Sequence, residues 1–158
     1  MKKSINIWLD EYGESHQNKT NKLIHWFCVP IITFTLLGIL SSFTFQFTIN
    51  EGSYAINPAG VLVIIAVLFY LRLSYSIAIG MFLFSGICLS LIQNFENNYT
   101  SEQLFTYYII AFIIAWIGQF IGHKIEGKKP SFIKDIQFLL IGPAWLLSFI
   151  YKKMNISI

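Results

Sequence analysis

LFTYYIIAFIIAWIGQFIGHKIEGKKPS, residues 104–131, runs apolar for the thickness of a bilayer and then breaks into lysines. Leu104 to Gly122 carries no charged side chain. As a helix this run spans about 28 Å, close to the ~30 Å hydrocarbon core of a membrane. Gln119, His123 and Glu126 are spaced i, i+4, i+7 and fall on one helical stripe. Gly127 offers a C-terminal cap and Pro130 blocks further helix. Glu126 is the anomaly, because a carboxylate in the last turn faces the negative end of the helix dipole, at a cost of about 0.3–1 kcal/mol. A compensating positive partner is therefore expected: the lysines, a protonated histidine or a metal ion.

The rest of the chain repeats the pattern. Of 158 residues, 55% are hydrophobic and 12% charged, about half the charge of an ordinary soluble domain. Ser4 to His16 reads as an amphipathic helix, with Ile5, Trp8, Leu9, Tyr12 and His16 on one face and Asp10, Glu11 and Glu14 on the other. Its Trp and Tyr suit a helix lying in the membrane interface. Lys2 and Lys3 precede no apolar stretch of signal-peptide type, so no cleavable signal is expected. Spans are expected at Leu23–Phe47 (kinked at Pro30), at Pro58–Leu71 extended upstream by Tyr54–Asn57, at Leu73–Ile92 and at Leu104–Gly122. Ile136–Tyr151 is short, interrupted by Gly142-Pro143 and flanked by lysines. That predicts a re-entrant or interfacial hairpin rather than a fifth crossing. The expected fold is all-α and polytopic, a single domain over residues 1–158. It comprises four transmembrane helices, an N-terminal interfacial amphipathic helix and a C-terminal hairpin.

Lysine and arginine orient this bundle. Lys2, Lys3, Lys19, Lys22, Arg72, Lys124, Lys128, Lys129 and Lys134 all fall on one side, whereas the loops carrying Glu51, Glu96 and Glu102 have neither residue type. The positive-inside rule puts both termini on the cytoplasmic side of an integral, multi-pass protein, in a bacterial inner membrane or the endoplasmic reticulum depending on the source. His16, His25 and His123, the three histidines of the chain, then meet the same membrane face from three segments. On a straight helix His16 and His25 are half a revolution out of phase, so they converge only if the chain bends at Asn18–Asn21.

Imidazole nitrogens suit iron, zinc, copper and nickel, and a three-nitrogen face leaves positions open for other ligands. Asn21, Gln119 and Glu126 stand one turn away, where they would orient the rings. The plainer reading has interfacial histidines bonded to headgroups or water, and the spacing contains neither H-x-x-x-H nor C-x-x-C. Cys28 and Cys88 read as small packing residues, the four tryptophans as an interfacial belt, and the lysines as topology signal and anionic-lipid contact. No Gly-rich dinucleotide fingerprint is present, and no nucleic-acid partner is expected. Two other classes stay open: a non-enzymatic haem- or lipid-binding module with two axial histidines, and a purely structural bundle. A diiron hydroxylase is disfavoured, since its two metals need more than three histidines.

Trp8, Tyr12, His16, Asn21-Lys22, His25 and Pro30, followed by Trp116, Gln119-Phe120, Gly122-His123, Glu126, Pro130 and Gly142-Pro143, resemble the signatures of the membrane-bound iron(II)-dependent 2-hydroxy fatty acid dioxygenases. The resemblance covers nearly the whole chain. Cys28 stands where that family usually has Gly, and Ser131 where it often has Ala. The resemblance implies that a long-chain 2-hydroxy fatty acid and O2 yield the acid one carbon shorter, CO2 and water. It implies Fe2+ held by His16, His25 and His123, with Glu126 beside them in the catalytic group. Tyr12, Asn21 and Gln119 would then support the ligands. Lys19, Lys22 or Lys124 would meet the substrate carboxylate, while its tail stays among membrane lipid. Such a reaction needs no nicotinamide or 2-oxo acid, because the 2-hydroxy acid supplies all four electrons that O2 takes.

Overall fold

The computed structural model describes residues 4–49, 52–127 and 132–158. Its elements, in chain order, are α1 (Ile5–Gly13), α2 (Lys19–Ser41), β1 (Phe45–Ile49), β2 (Gly52–Ile56), α3 (Pro58–Leu71), α4 (Tyr75–Glu96), α5 (Ser101–Glu126) and α6 (Phe132–Lys153). The protein is mostly helical, and α2, α4 and α5 are long and apolar enough to cross a membrane. Their outer faces expose large apolar side chains such as Phe27, Ile79, Ile87 and Ile114. That much contiguous apolar surface is foreign to a soluble monomer and suits lipid.

Helix ends follow local chemistry. Asn18 caps α2, its Oδ1 accepting from the Thr20 N–H at 2.8 Å. Thr100 and Gln103 close a reciprocal capping box on α5. Gly127 ends α5 in the left-handed conformation at φ 74°, as the sequence predicts for a glycine C-cap.

Three expectations need correction. The first span ends at Ser41, not Phe47, and Phe45–Ile49 pairs antiparallel with Gly52–Ile56 in a two-stranded sheet, so the fold is not all-α. Phe43, Phe45 and Phe47 alternate with Thr44, Gln46 and Thr48, the period of a strand, and these residue types favour extended backbone. The second expected span is correspondingly short. Its upstream extension Tyr54–Asn57 belongs to β2 and the cap, leaving α3 at 14 residues, or about 21 Å. Third, Gly142-Pro143 does not break the C-terminal run into a hairpin, because α6 is continuous from Phe132 to Lys153 with Pro143 inside it. A proline removes one ladder bond and loosens the next. The carbonyl left without its helical donor is that of Leu139, and the next one, Leu140, accepts from the Tyr70 hydroxyl at 2.5 Å.

The bundle core lies in two clusters. One joins α1 to α4 and α6 through Leu9, Tyr12, Ile77, Ile141 and Trp145. The other closes the opposite end through Leu37, Val63, Ile92, Leu104 and Tyr108. The apolar face of α1 is therefore the one expected, with Ile5, Leu9 and Tyr12 all buried, but it meets protein rather than lipid. The lysines at 2, 3, 128 and 129 lie outside the described residues, as does the side chain of Lys134.

Antiparallel α2 and α5 make the closest helix contact, and it runs on small residues. A Cβ at Gly118 would stand 2.7 Å from Cys28 Sγ, and one at Gly122 would overlap Asn21 Oδ1. Gly118 and Gly122 form a small-xxx-small pair that lets the backbones approach. Cys28 fills the space opposite Gly118.

Candidate metal centre

The joint between α1 and α2 is what brings the first two histidines together. Tyr12 and Gly13 carbonyls accept from the Ser15 and His16 N–H groups at 3.4 and 3.0 Å, turning the chain sharply before Asn18 starts α2. A bend is present, but it falls at Gly13–Asn18 rather than at the expected Asn18–Asn21, which form the cap and first turn of α2. His16 Nε2 lies 2.9 Å from His25 Nε2. The α2–α5 seam then delivers His123, whose ring centroid is 5.1 Å from each of the other two. One nitrogen from each ring falls within 4.8 Å of the others. His16 and His25 are buried and His123 half-buried.

The proton positions follow from main-chain acceptors. His16 Nδ1 is 2.6 Å from the Tyr12 carbonyl and His25 Nδ1 is 2.9 Å from the Asn21 carbonyl. A carbonyl only accepts, so each Nδ1 carries the hydrogen and each Nε2 presents a lone pair. The two Nε2 atoms then meet at 2.9 Å beside His123, an arrangement that a cation between or beside them would satisfy. A proton is a poor candidate, since burial pulls His16 down from 6.5 to about 4. A metal ion fits: two nitrogens each about 2.1 Å from one ion stand about 3.0 Å apart at a right angle. The donor set thus suits a borderline divalent metal with open positions.

Around the rings, Tyr12 stacks on His16 with centroids 4.2 Å apart and planes 10° from parallel. Trp145 closes the far side, 5.3 Å from His16. Both tryptophans near the site escape the expected belt role. Trp145 is buried and Trp116 lines a cavity of about 60 Å³ together with Tyr12, His16, Gln119 and His123. Spacing gave no hint of Trp145. The nearby Gly142, where a Cβ would come within 3.0 Å of Tyr12 Oη, was the available signal.

The Glu126 carboxylate and the Asn21 side-chain amide both tie the joint together. Glu126 Oε1 accepts from the Gln17 N–H at 2.8 Å, and Oε2 from the Asn18 N–H at 2.9 Å and Asn21 Nδ2 at 3.0 Å. Where the lysines, a protonated histidine or a metal ion were anticipated as partners, the hydrogen-bond donors to this carboxylate lie at the N-terminal end of α2, whose free N–H groups and dipole favour an anion. Asn21 Nδ2 also donates to the Ser15 carbonyl at 3.2 Å, tying the joint from inside. Gln119 is buried in the cavity wall with its Nε2 unpartnered. Lys19 and Lys124 are exposed and Lys22 half-buried, and none of the three is on the cavity wall.

Gly122→Ala tests the seam. Its Cβ would overlap Asn21 Oδ1 and lie 3.5 Å from His25 Cε1. Overpacking of this kind costs about 1–3 kcal/mol. The expected result is a lower unfolding temperature in detergent together with weaker metal retention. An unchanged melting curve would show that the seam yields freely.

A three-histidine cluster that could hold a metal ion, in a bundle with three membrane-length helices among the described residues, points to a membrane protein with a candidate metal site. Residues 2–154 match the 2-hydroxy-palmitic acid dioxygenase Mpo1-like family, and the chain belongs to that family. It is 27% identical over 144 residues to the 2-hydroxy-palmitic acid dioxygenase MPO1 of Saccharomyces cerevisiae, covering 89% of this chain and 76% of the yeast protein. No solved structure matches.

Proposed function

We propose that this protein is a membrane-embedded, iron(II)-dependent dioxygenase that removes C1 from long-chain 2-hydroxy fatty acids. R–CH(OH)–COOH and O2 give R–COOH, CO2 and H2O, so four electrons leave the two carbon centres and O2 takes all four. The observation that carries the reading is the pair of Nε2 atoms meeting at 2.9 Å beside a third histidine. Family membership supplies the reaction class.

His16, His25 and His123 would hold the ion, and Fe2+ would supply a site for the hydroxy acid and O2 to meet and exchange electrons. The chain's own residues do the rest. Tyr12 and Asn21 carbonyls keep the Nδ1 protons in place, so both Nε2 atoms stay available as donors. Tyr12 and Trp145 exclude water from the His16 side. Gln119 Nε2, a buried donor without a partner, is placed to donate to an oxygen of the bound acid. Lys19, Lys22 and Lys124 draw the carboxylate toward this face by long-range attraction. Glu126 acts at one remove, by fixing the joint that carries His16.

The test is anaerobic purification followed by elemental analysis and turnover. About one iron per chain is expected, with CO2 and the shortened acid released from a 2-hydroxy fatty acid under O2. Stoichiometric zinc or copper, or a haem absorption band, would refute the reading.

The topology proposal keeps four crossings, with α3 completing its short passage beside the hairpin, and puts both termini and the histidines on the cytoplasmic side. Lysine and arginine asymmetry motivates it. In a chain freed of Cys28 and Cys88, Tyr99→Cys and Lys124→Cys should react with impermeant thiol reagents from opposite faces. Labelling from the same face would overturn it.

A further inference from the structure

The histidine cavity does not end at the histidines. Its inner wall includes Thr33, Leu139 and Pro143, and the same three residues line a second cavity of about 260 Å³ between α2, α3, α4 and α6. The two spaces therefore share a wall at these three residues. The second is mostly apolar: Thr33 Oγ1 is turned back to the Val29 carbonyl at 3.0 Å and the Tyr70 hydroxyl to Leu140, which leaves the Ser85 hydroxyl as the polar group on its wall. It runs along α2 as far as Leu37, where Leu37 and Val63 join the cluster that closes the far end of the bundle. Leu37 lies about 18 Å along α2 from His25, at about 1.5 Å per residue.

The geometry points to this inner cavity as the binding site for the alkyl tail of the 2-hydroxy acid, with Thr33, Leu139 and Pro143 as the throat and the Leu37–Val63 end as the stop that sets chain length. The proposal rests on the function proposed above. Polar groups at the histidine end and apolar walls beyond the throat fit one amphipathic ligand lying lengthwise. An extended alkyl chain advances ~1.3 Å per carbon, from C–C bonds of about 1.5 Å, so the depth takes roughly fourteen carbons. The Gly142-Pro143 pair thereby acquires a purpose. Gly142 admits Tyr12 beside His16, and Pro143 walls the passage from the metal site to the tail.

Two measurements on the full-length holoprotein in nanodiscs test this. 2-Hydroxyhexadecanoic acid carrying a diazirine at its chain end should label wild-type protein at the cavity residues Leu36, Leu37, Leu62, Val63 and Val67, with unlabelled acid competing. Labelling confined to lipid-facing Ile64, Leu68 or Ile79 would overturn the proposal. So would labelling suppressed by excess dioleoyl phosphatidylcholine but not by the hydroxy acid, which would assign the cavity to a bilayer lipid. Ala66, small and on the cavity wall, is the position for the second test. Ala66→Phe should lower kcat/KM for 2-hydroxyhexadecanoate relative to 2-hydroxydecanoate by at least 10-fold, and an unchanged ratio would overturn the assignment. Wild-type protein that turns over no 2-hydroxy acid would defeat the proposed function, while the label still decides the cavity. Turnover with only surface labelling would leave the function standing and defeat the tail site.

Discussion

On the proposed function, His25→Ala should lose bound iron and turnover together, each by more than 100-fold. His25 is almost fully buried, its Nδ1 is held by the Asn21 carbonyl and its Nε2 faces His16 Nε2 at 2.9 Å. Removing it leaves two donors, too few to fix a divalent ion in a site that must also stay open to substrate. The same geometry separates a metal site from a merely packed histidine. In the metal-loaded wild type a bound ion stabilises the fold by mass action, about 4 kcal/mol at a thousandfold excess over Kd. Chelation should therefore lower the wild-type unfolding temperature and do nothing to the variant, whatever the alanine itself costs. A variant that keeps its iron, or a wild type indifferent to chelator, would mean that the cluster is only core.

How far this site was legible depends on the physical signal each residue leaves in one dimension. His16 stood on the apolar face of an amphipathic segment, and that position already marked it for burial. The antiparallel relation of α2 and α5 followed from charge asymmetry and span lengths, which put His25 and His123 at one face. What spacing alone could not supply was the hand of the joint at Gly13–Asn18. That joint depends on main-chain bonds from Ser15 and His16 and on a carboxylate more than a hundred residues away. The main-chain carbonyls that meet His16 and His25 Nδ1 likewise leave no mark in a side-chain pattern. The hairpin was legible but overridden, because Phe45 and Phe47 extend an apolar run as readily as they alternate with Gln46 and Thr48. Pro143 reads as a breaker in sequence. Only tertiary contact shows the Tyr70 hydroxyl donating to the Leu140 carbonyl beside it.

Glu126→Gln is the change that tells a positioning residue from a ligand. The carboxylate accepts three hydrogen bonds, from the Gln17 and Asn18 N–H groups and from Asn21 Nδ2, and all three donors belong to the joint that carries His16 or to the turn that follows it. Glutamine keeps the shape but replaces one acceptor oxygen with an NH2 that must face a donor, and it removes the negative charge at the N-terminal end of α2. At least one of the three bonds is lost and the joint loosens, while no metal donor is removed. Iron affinity and turnover should therefore fall by about 10- to 100-fold, the range for groups that orient ligands rather than bind metal. Raising the iron concentration should restore most of the lost turnover, which a missing ligand would not allow. Gln17→Pro, which deletes one of the same three bonds from the other side, should produce a defect of the same kind in a chain whose Glu126 is intact. Complete loss of iron in Glu126→Gln, beyond rescue by added metal, would make Glu126 a ligand. Wild-type affinity in both variants would show that the joint holds His16 without the carboxylate.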